Sequence, residues 1–278
     1  MNMSSSTSTN LTINGVVTGS PLKRYGGSIV IFIILTVAVF STLVKLGLWQ
    51  LSRAEQKAQW QQSLNERQKQ VLNFKQLLSL NEQAGTATDD FSGLSGYQLT
   101  VIAQPVSEQI LLLDNQVYQG TVGYLAYQIM SVSAQQPWIL VELGFIAANK
   151  DRRILPNITP ITTSNISLSG RIYQKQLNPV SDQLLPELGN PLRFQNLNID
   201  SLSQLLGHPI LPTVIQPNQL PNVSLPHPWQ PIPLPAKKHQ GYALQWFSMA
   251  AVFIGLMAWI AIRFVRRFKI NKQHLNAI

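Results

Sequence analysis

The sequence predicts an α+β membrane protein: two transmembrane helices, one near each end, bracket an extramembrane antiparallel β-rich domain entered through a helical stalk. Three observations carry this. Two long apolar runs, 28–44 and 242–262, contain no charged residue, and a membrane span needs roughly 20 such positions. Basic residues gather on the outer sides of both runs. Between them lies a series of short β-favouring segments punctuated by Gly, Pro, Asn and Gln.

Residues 1–27 are rich in Ser, Thr and Asn, with little apolar pattern to offset chain entropy, so they read as a disordered cytoplasmic tail. The first span is assigned to 28–49, with Lys45 snorkelling outward. No small-residue cleavage motif follows it, which indicates an uncleaved signal anchor. The second span covers 240–262 and leads into a basic cytoplasmic tail, 263–278. Lys23 and Arg24 precede the first span, and Arg263, Arg266, Arg267, Lys269 and Lys272 follow the second. The positive-inside rule therefore places both termini in the cytoplasm and the central loop outside. The stretch before Lys23 lacks the Arg-rich amphipathic character of a transit peptide, which favours a bacterial inner membrane and a periplasmic loop.

The loop domain is assigned to 50–236. Residues 51–80 contain no Gly or Pro and are rich in Gln, Glu, Lys, Arg, Ala and Leu, which predicts a helical stalk. Strand-like runs then occupy 97–175, with Asp114-Asn115, Gly120 and Gly123 marking a turn between the second and third, and Gly170 interrupting the last. Such spacing suits an antiparallel sandwich or barrel. A short helix is expected at 200–206, capped by Asp200 or Ser201. Nine prolines in 208–235 predict an extended segment draped over the domain, too proline-rich for an inner strand.

Composition excludes several functions. The net charge of +9 suggests nucleic acid until its placement is considered: the stretch from Trp49 to Lys238 carries thirteen Lys and Arg against twelve Asp and Glu, and the other eight basic residues lie in or beside the spans. The basic character thus expresses membrane topology and lipid contact, with no nucleic-acid partner. Without cysteine there is no disulfide and no thiolate metal site. No G-x-S-x-G, H-E-x-x-H or Walker pattern is present, so no catalytic residue is assigned and the chain reads as a non-enzyme. His208 and His227 have no metal-ligand spacing and read as ordinary loop residues. Asp114, Glu142 and Asp182 are the carboxylates a fold could pair, with Asp114 better explained as a turn organiser.

Two constellations carry chemistry. Trp49, Arg53 and Lys57 stand at i, i+4 and i+8 at the outer end of the first span, forming a stripe with two cations suited to the carboxylates of an amphipathic ligand. His239, Tyr242, Ala243 and Trp246 share a helical face at the outer end of the second, a wall for a flat apolar ligand whose imidazole can bind haem iron. Taken singly, each is more commonly an interfacial aromatic belt, with cations at lipid phosphates and a solvated histidine.

Taken together these residues resemble the surfeit-locus family of cytochrome c oxidase assembly proteins. Gly47-Leu48-Trp49-Gln50-Leu51-Ser52-Arg53 with Lys57 is similar to the family's G-x-W-Q-x-x-R-x-x-x-K signature. Asp114-Asn115, Gly120 and Gly123-Tyr124 resemble its central hairpin, and the run from His239 to Phe247 resembles its closing H-x-x-Y-A-x-x-W-F pattern. The family's usual R-G-W is here Leu143-Gly144-Phe145, which marks a divergent member. The resemblance implies a factor assisting haem a delivery or insertion into oxidase subunit I, in contact with the enzymes of haem a synthesis. It also implies His239 as iron ligand, metal-binding through its imidazole, with Tyr242 and Trp246 beside the porphyrin. Trp49, Arg53 and Lys57 are expected to face them, the two cations serving the propionates. The competing expectations are a scaffold that holds oxidase assembly intermediates without haem, and a membrane-anchored enzyme or sensor.

Overall fold

A computed structural model describes residues 21–84, 93–174, 177, 180–228, 232 and 234–275. In chain order its elements are α1 (Pro21–Arg67), β1 (Val71–Leu72), α2 (Phe74–Ala84), β2 (Gln98–Tyr118), β3 (Thr121–Ser131), β4 (Trp138–Ala147), β5 (Ile166–Tyr173), β6 (Leu192–Phe194), α3 (Ile199–Leu206), β7 (Ile210–Pro217) and α4 (Ala236–Leu275). They divide into two compact units, Met1–Ala54 with Lys237–Ile278, and Glu55–Ala236.

The first unit is a pair of helices. Both α1 and α4 are long and apolar enough to cross a membrane, and their most apolar windows are 0% and 6% buried. A core helix of a soluble protein hides such a surface; these expose it, as lipid-facing helices do. Of the expected tail 1–27, residues 1–20 lie outside the described residues and 21–27 are already helical. The expected basic tail 263–278 likewise continues α4 to Leu275, and 276–278 lie outside the described residues.

In the second unit the sheet closes on itself. The neighbours run β2-β3-β4-β7-β5, and β5 pairs back onto β2, so the alternatives of sandwich and barrel resolve to a closed five-stranded barrel. Closure removes the exposed edges that an open sheet must protect. The hinge of the arrangement is β2, 21 residues long. Its first part, 98–103, pairs with β5 and its later part, from Gln104, with β3. Register shifts after Pro105 and after Leu113 bend it between the two partners. Two runs that read as separate strands are therefore one. The turn lies at Gln119 and Gly120, both at positive φ, and Asp114-Asn115 instead forms the second bulge, with Asn115 at φ 56°.

Four expectations are corrected here. The sheet is mixed: β1 and β6 run parallel to β2, and β7 runs parallel to β4. The long connection after β4 can return the chain in the same direction, which tight turns cannot. The stalk 51–80 is not one helix, because α1 ends at Arg67 and Val71–Leu72 is recruited to β2. An N-terminal signal for α2 lay unread in Asn73-Phe74-Lys75-Gln76. The Asn73 side chain accepts from Gln76 N at 2.9 Å, and the Gln76 side chain accepts from Asn73 N at 2.9 Å, a reciprocal capping box. The proline-rich segment 208–235 supplies an inner strand, β7, which contains Pro212 and Pro217. Pro212 falls in a register shift against β4, outside the paired β5 residues, so its missing N–H interrupts no paired position. On α3 the cap is Asn198, whose side chain accepts from Ser201 N at 2.9 Å, rather than Asp200 or Ser201.

Both faces of the curled sheet are packed. Leu99, Leu112, Tyr124, Val141 and Leu168 belong to one cluster, with Leu77 of α2 against them. Leu111, Leu113, Leu125, Tyr127, Leu140 and Tyr173 belong to the other, covered by Phe194 of β6 and Leu202 of α3. Fully burying one such leucine contributes about 1.5–3 kcal/mol.

Candidate functional site

The helix pair brings together one polar contact from the two candidate constellations. Nδ1 of His239 on α4 lies 2.7 Å from Oε1 of Gln50 on α1. Small residues let the helices approach: Gly47, Ala54, Ala243 and Ala250 are buried. A Cβ at Gly47 would stand 2.6 Å from the Phe247 ring, so only glycine fits there without displacing the aromatic. Gly47, Gln50 and Ala54 fall on one face of α1, and His239, Ala243, Trp246 and Ala250 on one face of α4.

His239 is thus buried, 8% exposed, with a polar partner on the facing helix. The residue of α1 that meets it is Gln50, one position beyond Trp49. Trp49 and Tyr242 are turned outward, 51% and 43% exposed, and Trp246 is half-buried. The Arg53 guanidinium lies over the Trp49 ring at 5.9 Å, so those two do form a cationic-aromatic pair. Lys57 belongs to the other compact unit, where its ammonium lies 4.5 Å from the Trp60 ring.

A second polar centre sits on the barrel, built on Glu142, whose expected partners were Asp114 and Asp182, and on His227, which is not the ordinary loop residue expected. Glu142 of β4 is fully buried, yet it is surrounded by donors. The Tyr173 hydroxyl donates to Oε2, Gln216 Nε2 donates to Oε1 at 3.4 Å, and His227 Nδ1 lies 2.7 Å from Oε1. The Tyr127 hydroxyl stands 3.5 Å from that of Tyr173, and Arg171 donates to Gln216. Burial pushes the Tyr127 hydroxyl far above its ordinary pKa, and the neighbouring Glu142 charge pushes it further. Tyr173 is raised in the same direction, first by burial and then by Tyr127 and Glu142. Burial lowers Arg171, while Glu142 and Tyr173 pull it back up. A lone charge inside the apolar run Trp138-Ile139-Leu140-Val141-Glu142-Leu143 was the available signal.

The three candidate carboxylates are not brought together. Asp114 binds Arg152 and lies 4.0 Å from Arg193, and the backbone oxygen of Asp182 accepts from Asn198 at 3.1 Å. His208 stacks on Trp138 with ring centroids 4.0 Å apart. No group of three potential metal ligands occurs among the described residues.

A model of the SURF1 family matches residues 37–251, more than half of the chain and inclusive of both motif-bearing helix segments. The chain belongs to the SURF1 family. Compared with curated proteins one by one, it matches none. Membership of the SURF1 family brings a role in cytochrome c oxidase assembly. Within this SURF1 chain, Leu143 is fully buried in the first-face core and Phe145 packs against Tyr118 with centroids 5.5 Å apart.

Proposed function

We propose that this SURF1-family protein is a carrier, not a catalyst, which assists delivery or insertion of haem a into subunit I of cytochrome c oxidase. The observation that carries the reading is the His239–Gln50 contact. An imidazole whose Nδ1–H donates to an amide oxygen keeps a lone pair on Nε2, the arrangement typical of a metal-ligating histidine. The donor set suits the group: a neutral imidazole for iron, the Trp49 and Tyr242 rings for a flat macrocycle, and Arg53 for a propionate. Bound haem a supplies a redox-active iron; the protein's part is to hold and orient it. Trp246, half-buried on the same face of α4 as His239, completes the proposed set.

The barrel fits a supporting role. Both its faces are filled by side chains, which suits a unit that contacts proteins, the oxidase and the enzymes that make haem a. The charge distribution supports an inner membrane with both termini cytoplasmic and the barrel in the periplasm.

The test is the absorption and pyridine-haemochrome spectrum of full-length protein co-expressed with haem a synthesis. Stoichiometric haem a in the wild type, lost in His239→Ala, is the expected result. A colourless wild type that still associates with the oxidase would replace the carrier reading with that of a haem-free scaffold.

A further inference from the structure

We propose that Gln50 is the positioning residue of the helix pair: its side-chain oxygen fixes the His239 imidazole as the Nδ1–H tautomer and leaves the ligating lone pair on Nε2. The argument begins with which position of α1 faces α4. Gly47 and Ala54 are buried, three residues before Gln50 and four after it, whereas Trp49 and Arg53 are exposed. The face presented to His239 is therefore the face that carries Gln50. On α4 the spacing from His239 to Ala243 and Ala250 repeats the same logic.

Chemistry narrows the role. At 2.7 Å, Nδ1 and Oε1 are within hydrogen-bond distance, and a carbonyl oxygen only accepts, so this contact is a hydrogen bond only in the tautomer that carries its proton on Nδ1. A free imidazole holds its proton on either nitrogen and rotates about χ2; this contact removes both freedoms. Amide glutamine is matched to the task. An acidic side chain in its place would draw the Nδ1 proton more strongly and make Nε2 a stronger donor, and an aliphatic one would leave the tautomer unset. The contact also joins residues 189 positions apart, so the same bond that orients the ring ties the two spans together. Its geometry stands alone; its consequence for haem rests on the reading of His239 as iron ligand.

The experiment is nitrogen NMR of full-length protein labelled with ¹⁵N-histidine in lipid nanodiscs at about pH 8, above the usual imidazole range. His239→Gln assigns the signal among the four histidines. Wild type is expected to carry its proton on Nδ1, Gln50→Leu to shift toward the Nε2–H form, and Gln50→Glu to restore Nδ1–H. A wild-type proton on Nε2, as an amide turned the other way would impose, overturns the proposal. So does a Gln50→Leu protein whose tautomer is unchanged while its helix pairing weakens, because Gln50 is then only a tether. In the haem-loaded protein, loss of the bond is expected to weaken haem retention about 10- to 100-fold and raise the iron reduction potential. A wild type with Nδ1–H that takes up no haem sinks the carrier reading and leaves the positioning role standing.

Discussion

His227 Nδ1 stands 2.7 Å from Oε1 of Glu142, a fully buried carboxylate 85 residues earlier in the chain. The pair pins the segment after β7 onto the barrel. Two further contacts lie beside it: Phe145 N donates to the Pro226 carbonyl at 2.7 Å, and Leu225 packs against the backbone of Gly144. All three converge on a bulge in β4, where Ala126 pairs with Gly144 and Tyr127 with Glu142, leaving Leu143 as the extra residue. The bulge keeps Glu142 and Phe145 on the same face although they are three residues apart.

Glu142 and His227 are predicted to differ in their effect when truncated. His227→Ala leaves the carboxylate with Tyr173 and Gln216, so the loss should be about 1–3 kcal/mol. Glu142→Ala orphans the buried donors around it and empties its volume, and should cost about 3–5 kcal/mol. Urea unfolding of the two variants measures the difference; equal losses would argue against this hierarchy.

At Gly144, φ is +124° and an added Cβ would meet Leu225 Cβ at 2.5 Å. Gly144→Ala should therefore cost about 1–3 kcal/mol in backbone strain and release the segment around Leu225. Limited proteolysis is the direct check, with faster cleavage near Pro226 expected before global unfolding.

The buried tyrosines set an alkaline limit. Tyr127 and Tyr173 have pKa values raised in the folded chain, whereas the unfolded chain releases those protons near pH 10. Their contribution is complete below about pH 10, and above it the unfolded state binds fewer protons than the folded state, so stability falls as pH rises. The slope is about 1.4 kcal/mol per pH unit for each tyrosine. Tyr127→Phe should flatten the fall in urea midpoint between about pH 10 and 11.

Gly47→Leu places a side chain where the Phe247 ring lies and should separate the spans. The chain has no cysteine, so Gln50→Cys with His239→Cys gives a clean cross-link reporter. Cross-linking by a short bifunctional thiol reagent is expected in that background, and at least a tenfold slower rate once Gly47→Leu is added, about 1.4 kcal/mol in apposition free energy.

Leu143, where the resemblance led to the expectation of an arginine, is fully buried in one apolar cluster with Val141, Leu112 and Ile215. Leu143→Arg is accordingly expected to destabilise the barrel by more than about 4 kcal/mol, since it would bury a guanidinium in an apolar cluster. Recovery of folded, protease-resistant protein at wild-type yield would contradict that.

What the sequence by itself determined is whatever depends on local chemistry. Charge-free length sets the two helices, and the motifs around Trp49 and His239 identify the family before any fold is known; the Asn73–Gln76 and Asn198 caps are equally local, although the cap expected for α3 was Asp200 or Ser201. The tertiary structure decided everything that needs a distant partner. Val71–Leu72 leaves a helix-favouring stretch because Gln98 and Leu99 offer it hydrogen bonds, and β7 enters the barrel despite two prolines because β4 and β5 bury Val214 and Ile215. Glu142 reads as a misplaced charge until Tyr173, Gln216 and His227 arrive around it. Helical spacing places Trp49 and His239 each at the end of a span, but helix rotation, set by Gly47 against Phe247, brings Gln50 to the histidine instead. Periodicity fixes which residues share a face; only packing against another element fixes which face is turned inward.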